Sequence, residues 1–336
     1  MSAVLAPEPR EPVSPGRQPS FSVIIAAYQA AEFVGDAIRS ALDQTLPPFE
    51  VIVCDDGSTD GTDRVVESFD RPVRLVRRGN GGEGAAKDTA ARAAEGDFVV
   101  LLDADDLWLP SRLAALAELA GSRPDLDILT TDAWMVAGER RVGRVYHEGW
   151  RFAVSDQPLA ILERNFVFGG AAVRREALLA AGGFDPAARW TADWECWIRM
   201  IVAGARVGLD DRPLALYRLH EGALSSNRAR LLRGRVWTLE KARRLALDAR
   251  ERAALERSID HHDRAALVEE ARQAARLREA DARRLSWEVA RDRRFDSVTR
   301  LKAAAAALSP MIAARLLARR ERGRWVGAGG TTIERD

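Results

Sequence analysis

Two apolar runs of this 336-residue chain end in clustered carboxylates. "FVVLLDADDLW", Phe98 to Trp108, delivers Asp103, Asp105 and Asp106, and "FEVIVCDDGSTDG" delivers Asp55 and Asp56. Both runs are short, rich in Val, Leu and Ile and free of helical spacing, which predicts strands buried on both faces. Carboxylates gathered at the mouths of such strands resist ionising together unless a cation lies among them. Oxygen donors without cysteine, and with at most one histidine in reach, suit Mg2+ or Mn2+ rather than Zn2+. Mg2+ held by one or two carboxylates commonly shares its other positions with phosphates, which points to a nucleoside diphosphate compound as ligand. Solvated turn and cap aspartates are the competing reading, strongest for "DDGSTDG" taken alone.

The elements that must carry these residues alternate. "FSVIIAAY" reads as a strand and "AEFVGDAIRSALDQ" as a helix with Phe33, Ile38, Ala41 and Leu42 on one side. A strand "FEVIVCDD", a helix "DGTDRVVESF" capped by Asp60, a strand "VRLVRR", a helix "GEGAAKDTAARAAEG" and a strand "DFVVLLDADD" follow. Strands and helices alternating at this pace predict βαβ units and a mostly parallel sheet with helices on both faces. Ligands of such sheets bind beyond the carboxyl ends of the strands, where the aspartates fall.

A rival motif lies between the third strand and the third helix. Gly79, Gly81 and Gly84 of "GNGGEG" satisfy G-x-G-x-x-G, the dinucleotide-binding fingerprint, and acidic residues follow about 20 positions later. The fingerprint belongs after the first strand of its unit, however, and "GAAKD" lacks the Gly-Lys-Ser/Thr of a phosphate-gripping loop. A mobile glycine-rich turn near the site is the preferred reading.

Composition narrows the class. Lys and Arg total 51 against 50 Asp and Glu, so the chain lacks the basic footprint of a nucleic-acid binder. Cys54 and Cys196 have no metal-ligand spacing and read as small core residues in a reducing compartment. Residues 1–19 form a proline-rich tail expected to be disordered rather than an export signal. No window reaches the roughly 18 apolar residues of a membrane span, so a cytoplasmic protein, or one peripheral to the inner face of the membrane, is expected.

Together, "SVIIAAYQAAEFVGDAIRSALDQTLPPFEVIVCDDGSTDGT" and "GNGGEGAAKDTAARAAEGDFVVLLDADDLWLPSRL" resemble the nucleotide-sugar-binding half of family 2 inverting glycosyltransferases of the GT-A fold, and "VRREALLAAGGFDPAARWTADWECWIRM" resembles their acceptor half. The resemblance implies a GT-A domain over 20–225, with donor binding in 20–110 and the acceptor half in 111–225. It implies metal-dependent inverting transfer of a sugar from a nucleotide-diphospho-sugar, a UDP-sugar, to a glycan or lipid-linked acceptor in cell-surface polysaccharide, cell-wall or glycoconjugate synthesis. Ala26 and Tyr28 of "AAY" would border the base, Asp56 would accept from its imide, and Lys87 would lie near the diphosphate where relatives often carry Arg. Asp88 stands where they often carry Asn. Asp103 would lie near the ribose and Asp105 on Mn2+ or Mg2+, with Asp106 as the alternative ligand because the text reads D-A-D-D. His220 of "YRLHEGALS" would reach the metal or diphosphate from a closing loop.

Asp193 of "TADWECW" matches the general base that takes the acceptor's proton, although Ala192 replaces the family's Glu. It would also serve as a helix N-cap, and Glu195 is the second candidate base. Of Trp190, Trp194 and Trp197, one is expected at the site and the others in the core. A nucleotidyltransferase, a nicotinamide enzyme and a catalytically silent nucleotide-binding module are the rival classes.

Residues 226–336 read as an appended helical region without strands, in which the adjacent His261 and His262 are expected at the surface. Within it "LSPMIAARLLARRERGRW" sets Ile312, Leu316 and Leu317 among Arg315, Arg319, Arg320, Arg322 and Arg324, a basic amphipathic pattern compatible with an anionic membrane.

Overall fold

Alternating side chains along the first strands lay down two cores, one on each face of a sheet. The computed structural model describes residues 17–220, 227–309, 324–326 and 332–334. It opens with β1 (Phe21–Ala27), α1 (Val34–Leu42), β2 (Glu50–Asp55), α2 (Thr62–Glu67), β3 (Val73–Arg77), α3 (Glu83–Ala93) and β4 (Phe98–Leu101). Val23 and Ile25 of β1, Val51 and Val53 of β2 and Val100 of β4 join one core. Ile24, Ile52, Cys54, Val99 and Leu101 join the other, as the period of two requires. Both cysteines are buried and unpaired, as expected of core residues, and burial pushes their thiols up to about 11 and about 12.

The helix after β2 departs from expectation at its start. Gly61, in a left-handed conformation, is its N-cap, while Asp60 bonds the backbone N–H and hydroxyl of Thr62 at 3.0 and 2.6 Å and the Ala31 N–H at 3.0 Å. Asp60 thus ties two loops together instead of capping α2.

The chain continues through β5 (Leu107–Trp108), α4 (Arg112–Ser122), β6 (Ile128–Ala137), β7 (Arg140–Arg144), α5 (Gln157–Glu163), β8 (Ala172–Arg174), α6 (Arg175–Ala180), α7 (Ala192–Val202) and β9 (Val207–Arg218). The sheet runs β3-β2-β1-β4-β8-β6-β9-β5, with β7 beside β6. Its first four strands are parallel, β8 enters antiparallel between β4 and β6, and β6 and β9 are parallel again. The result is a mixed α/β sheet, parallel where the donor-side motifs lie.

Among the described residues four helices follow: α8 (Arg228–Ala242), α9 (Ala249–Leu277), α10 (Ala282–Arg291) and α11 (Ser297–Leu308). Asp248 and Glu251 close a capping box at the start of α9. Leu239 of α8 and Leu255 and Ile259 of α9 enter the same core as Ile24 and Trp197. Two features here differ from the sequence reading. β10 (Arg324–Val326) and β11 (Thr332–Glu334) pair antiparallel in a region expected to hold no strand, and His262 is buried, its ring 5.6 Å from that of Trp194, while His261 alone is exposed. Residues 1–16 of the tail and 310–323 of the basic segment lie outside the described residues. No described helix is long and apolar enough to cross a membrane.

Candidate active site

The carboxyl ends of β1, β2 and β4 place Tyr28, Asp56 and Asp103 along one edge of the sheet. Tyr28 is exposed and Ala26 half-buried on β1 opposite Cys54. Asp55 closes a turn by accepting from the Ser58 N–H at 3.1 Å. Asp56 is buried, and its carboxylate takes the backbone N–H groups of Gly81 and Gly82 at 3.0 and 2.7 Å and faces the Arg78 guanidinium at 3.0 Å. The glycine-rich turn is therefore held, not loose as its composition suggested. Its amides already carry an anion supplied by the chain, which removes them as a phosphate cradle.

Gly84 shows what the third glycine of that motif does. A Cβ there would stand 2.1 Å from the Asp185 carbonyl oxygen and 2.6 Å from that of Ala188, so the residue lets α3 press against the loop before α7. Its requirement is close packing, not a dinucleotide.

The D-A-D-D run is resolved by the pairing of β5 with β9. Leu107 lies opposite Leu216, which carries the antiparallel register back to the aspartates. Asp106, buried, accepts from the Arg218 N–H at 2.9 Å, and the Arg218 guanidinium bonds the Asp105 carbonyl. Burial, with Asp105 and Asp103 adding to it, raises the Asp106 carboxyl well above the usual carboxylate range. Asp106 thus fastens β9. Asp105 instead meets His220, Oδ2 to Nε2, at 2.9 Å, and the His220 ring packs against Phe33 at 4.8 Å between centroids.

A carboxylate and an imidazole converging from different elements suit a divalent ion. Among the described residues no group of three or more His, Cys, Asp or Glu is arranged to hold a metal by itself.

Asp103 lies between this pair and the second half of the site. Lys87, buried on α3, reaches Glu83 at 2.6 Å and Asp103 at 3.4 Å. Burial alone would depress the ammonium, but Asp103, Glu83 and Asp193 together raise it. Burial raises the carboxyls of Asp103 and Glu83, with Lys87 opposing in both. Glu83, unremarked in the sequence, belongs to this cluster, and its Oε2 is buried without a hydrogen-bond partner. Asp88 turns away to Arg92 at 2.8 Å.

Asp193 stands in the first turn of α7, whose N-cap is Thr191, so the capping role does not fall to it. The Asn165 amide donates to its Oδ2 at 3.2 Å. Gly169 borders both groups, since a Cβ there would make ordinary contact 3.5 Å from Asp193 Oδ2 and 3.9 Å from Asp103 Oδ2. Both carboxylates therefore face one gap. The loop carrying Asn165 and Gly169 is pinned by Arg112, a fully buried guanidinium that bonds the Gly170 carbonyl and the Thr131 hydroxyl between the Trp108 and Phe168 rings. Asn165 and Arg112 escaped the sequence reading, because single polar residues in an apolar setting carry no spacing signal.

Glu195 is elsewhere. Buried on the far side of α7, it pairs with Arg199 at 2.8 Å and with Lys241 of α8, which excludes it as a base facing the gap. Trp194 and Trp197 are core, and the Trp194 indole N–H donates to the Ile161 carbonyl. Trp190 is half-buried beneath Arg230, 5.4 Å from the ring centre.

Residues 22–180 match the family described as Glycosyl transferase family 2. The chain is 27% identical over 215 residues to the "Putative teichuronic acid biosynthesis glycosyltransferase TuaG" of Bacillus subtilis (strain 168), covering 63% of this chain and 83% of that protein. It is 29% identical over 218 residues to the succinoglycan biosynthesis protein ExoO of Rhizobium meliloti (strain 1021), covering 62% of this chain and 63% of that one. Among solved structures it resembles S. aureus TarS 1-349 in complex with UDP-GlcNAc, with a TM-score of 0.60, 17% identity and coverage of 94% of this chain and 97% of that one. It also resembles a Pyrobaculum calidifontis mannosyltransferase in complex with GDP-Man and Mn2+, with a TM-score of 0.55, 23% identity and coverage of 92% and 81%. At these identities the structural likeness establishes the shared fold.

Proposed function

Because the chain belongs to glycosyl transferase family 2 through residues 22–180, we propose that it moves a sugar, with inversion, from a nucleoside diphosphate donor to an acceptor hydroxyl delivered to Asp193. The observation that carries this reading is the common gap beside Gly169 onto which Asp103 and Asp193 both face. Inversion in one displacement needs a base on the side of the sugar opposite the leaving group. Asp193 on the acceptor helix, set beside the donor-side Asp103 next to Gly169, supports that assignment.

In this scheme Ala26 and Tyr28 border the base. Asp56, whose Oδ2 already takes the N–H groups of Gly82 at 2.7 Å and Gly81 at 3.2 Å, would turn from the second of these to accept from the imide of a uracil. Asp103 positions the ribose, and Lys87 offers its charge to the diphosphate. Asp105 and His220 would hold Mn2+ or Mg2+, whose charge offsets that growing on the leaving diphosphate. Asp193 takes the proton of the attacking hydroxyl, and Asn165 fixes the direction of its Oδ2. The acceptor is a glycan or lipid-linked glycan, a reading supported by polysaccharide-biosynthesis relatives. The basic stretch 308–325 would keep the enzyme at an anionic membrane surface, the place where such acceptors grow.

Titration calorimetry with UDP, GDP, dTDP and NAD+, each with and without Mn2+, tests the donor side. Metal-dependent binding of one nucleoside diphosphate is expected. Incubation with the matching nucleotide sugars then separates the classes: a glycosyltransferase releases nucleoside diphosphate, whereas release of pyrophosphate would identify a nucleotidyltransferase. Binding without any turnover would leave a silent nucleotide-binding module.

A further inference from the structure

α8 carries its cations in two conditions. Arg233 is held by Asp263 and Glu270 of α9 at 2.7 and 2.6 Å, and Lys241 by Asp185 and Glu195. Arg235 is half-buried, yet among the described residues it makes no hydrogen bond or ion pair. The groups it faces include Asp193, Arg228, the Tyr217 phenol and the His262 ring, and burial holds its guanidinium below the ordinary range, against the pull of Asp193.

Its position follows from a contact one residue away. Gly234 lets α8 close on the start of α7, because a Cβ there would stand 2.9 Å from that of Trp190. Thr191 Oγ1 donates to the Gly234 carbonyl at 3.2 Å and meets the Thr238 hydroxyl at 2.8 Å. Arg235 therefore stands beside the turn that bears Asp193. Asp193 Oδ2 accepts from the Asn165 amide, and the carboxylate does not close on the arginine. Arg228, on the same side of the helix seven residues earlier, adds charge although Glu269 of α9 lies 4.0 Å from it, and Arg230 covers Trp190.

A guanidinium partly withdrawn from water without a carboxylate partner carries a desolvation cost that an arriving anion offsets. We propose that Arg235, backed by Arg228, recognises a negatively charged group of the acceptor, a uronate carboxylate or a phosphate ester, adjoining the hydroxyl presented to Asp193. The inference rests on the transferase reading above and specifies its acceptor as an anionic glycan.

The test is binding of two charged probes, methyl glucuronide and glycerol phosphate, against their neutral counterparts methyl glucoside and glycerol, with saturating UDP or GDP and Mn2+ present. At least one charged probe is expected to bind the wild type about ten- to a hundredfold more tightly than its neutral counterpart. Arg235→Gln removes that preference and Arg235→Lys keeps part of it. Arg243→Gln, at an exposed cation paired with Glu256 beyond the far end of α8, leaves it intact. Which pair shows the preference decides between carboxylate and phosphate. Absence of preference in the wild type, or a preference that survives Arg235→Gln, overturns the inference. Arg235→Met, which keeps the alkyl stem, repeats the measurement if Arg235→Gln folds poorly. Nucleoside diphosphate binding is unchanged in all variants; its absence from the wild type would overturn the transferase reading instead, so the two failures are distinct.

Discussion

In the proposed reaction Asp193 serves the acceptor and Asp105 the donor's metal, so their variants should fail differently. Asp193→Asn keeps shape and the contact with Asn165 but cannot accept a proton, so turnover should fall by roughly 10²- to 10⁴-fold while nucleoside diphosphate affinity stays within about twofold. Steady-state kinetics beside calorimetry checks this, and unchanged turnover would reassign the base. Asp105→Asn, by contrast, should abolish the difference between titrations with and without Mn2+ and leave metal-free nucleotide binding in place. What was legible in the residues is the placement of these aspartates, because apolar runs ending in carboxylates predict buried strands that deliver them to one edge of a sheet. The choice among Asp103, Asp105 and Asp106 was not, since it depends on Leu107 pairing with Leu216 more than a hundred residues away. Glu83 was hidden by lying inside a glycine motif that drew attention to its backbone.

At the scale of elements, Gly84 sets propensity against packing. In an exposed helix Gly→Ala stabilises by up to about 1 kcal/mol, but here the added carbon meets two backbone oxygens well inside contact distance. Gly84→Ala should therefore destabilise, by about 1–3 kcal/mol if the loop before α7 yields, measured by denaturant unfolding. α9 supplies a pH-dependent prediction. Burial, with Arg235 and His261 adding to it and the Ser258 carbonyl opposing, lowers His262 to about 4. Its folded form thus resists a proton that the unfolded form accepts near 6.5, so the contribution is complete above that pH and is lost as pH falls toward 4. Between pH 7 and about 4.5 the wild type should lose about 2 kcal/mol more stability than His262→Gln, and equal losses would remove His262 from the account. Leu255, Ile259, His262 and Ala266 share one helical stripe, a spacing that could have revealed the burial. The first four strands were readable as apolar runs. The antiparallel entry of β8 was not, because a three-residue strand leaves no periodic trace.

Across the whole molecule, the helical region and the sheet hold one interior between them. Leu239, Leu255 and Ile259 cover a face of the core that also contains Trp197 and Ile201, and Lys241 compensates the buried Glu195. The composition change near residue 226 marks where the large sheet gives way to α8–α11, which a sequence shows; a shared core is a property of tertiary packing, which it does not. A chain ending at residue 226 should therefore lose its cooperative thermal transition or aggregate, as followed by differential scanning calorimetry. A cooperative melt within a few degrees of the full chain would show that the sheet and its own helices fold without α8–α11.

The grip of Asp56 on Gly81 and Gly82 has a further consequence. A phosphate approaching those amides meets a competitor that is covalently part of the same chain and never diffuses away. Groups tethered at such short range act at effective concentrations on the order of millimolar or above. The protein is therefore insulated, at any ordinary cofactor concentration, from the ligand that its own glycine spelling advertises.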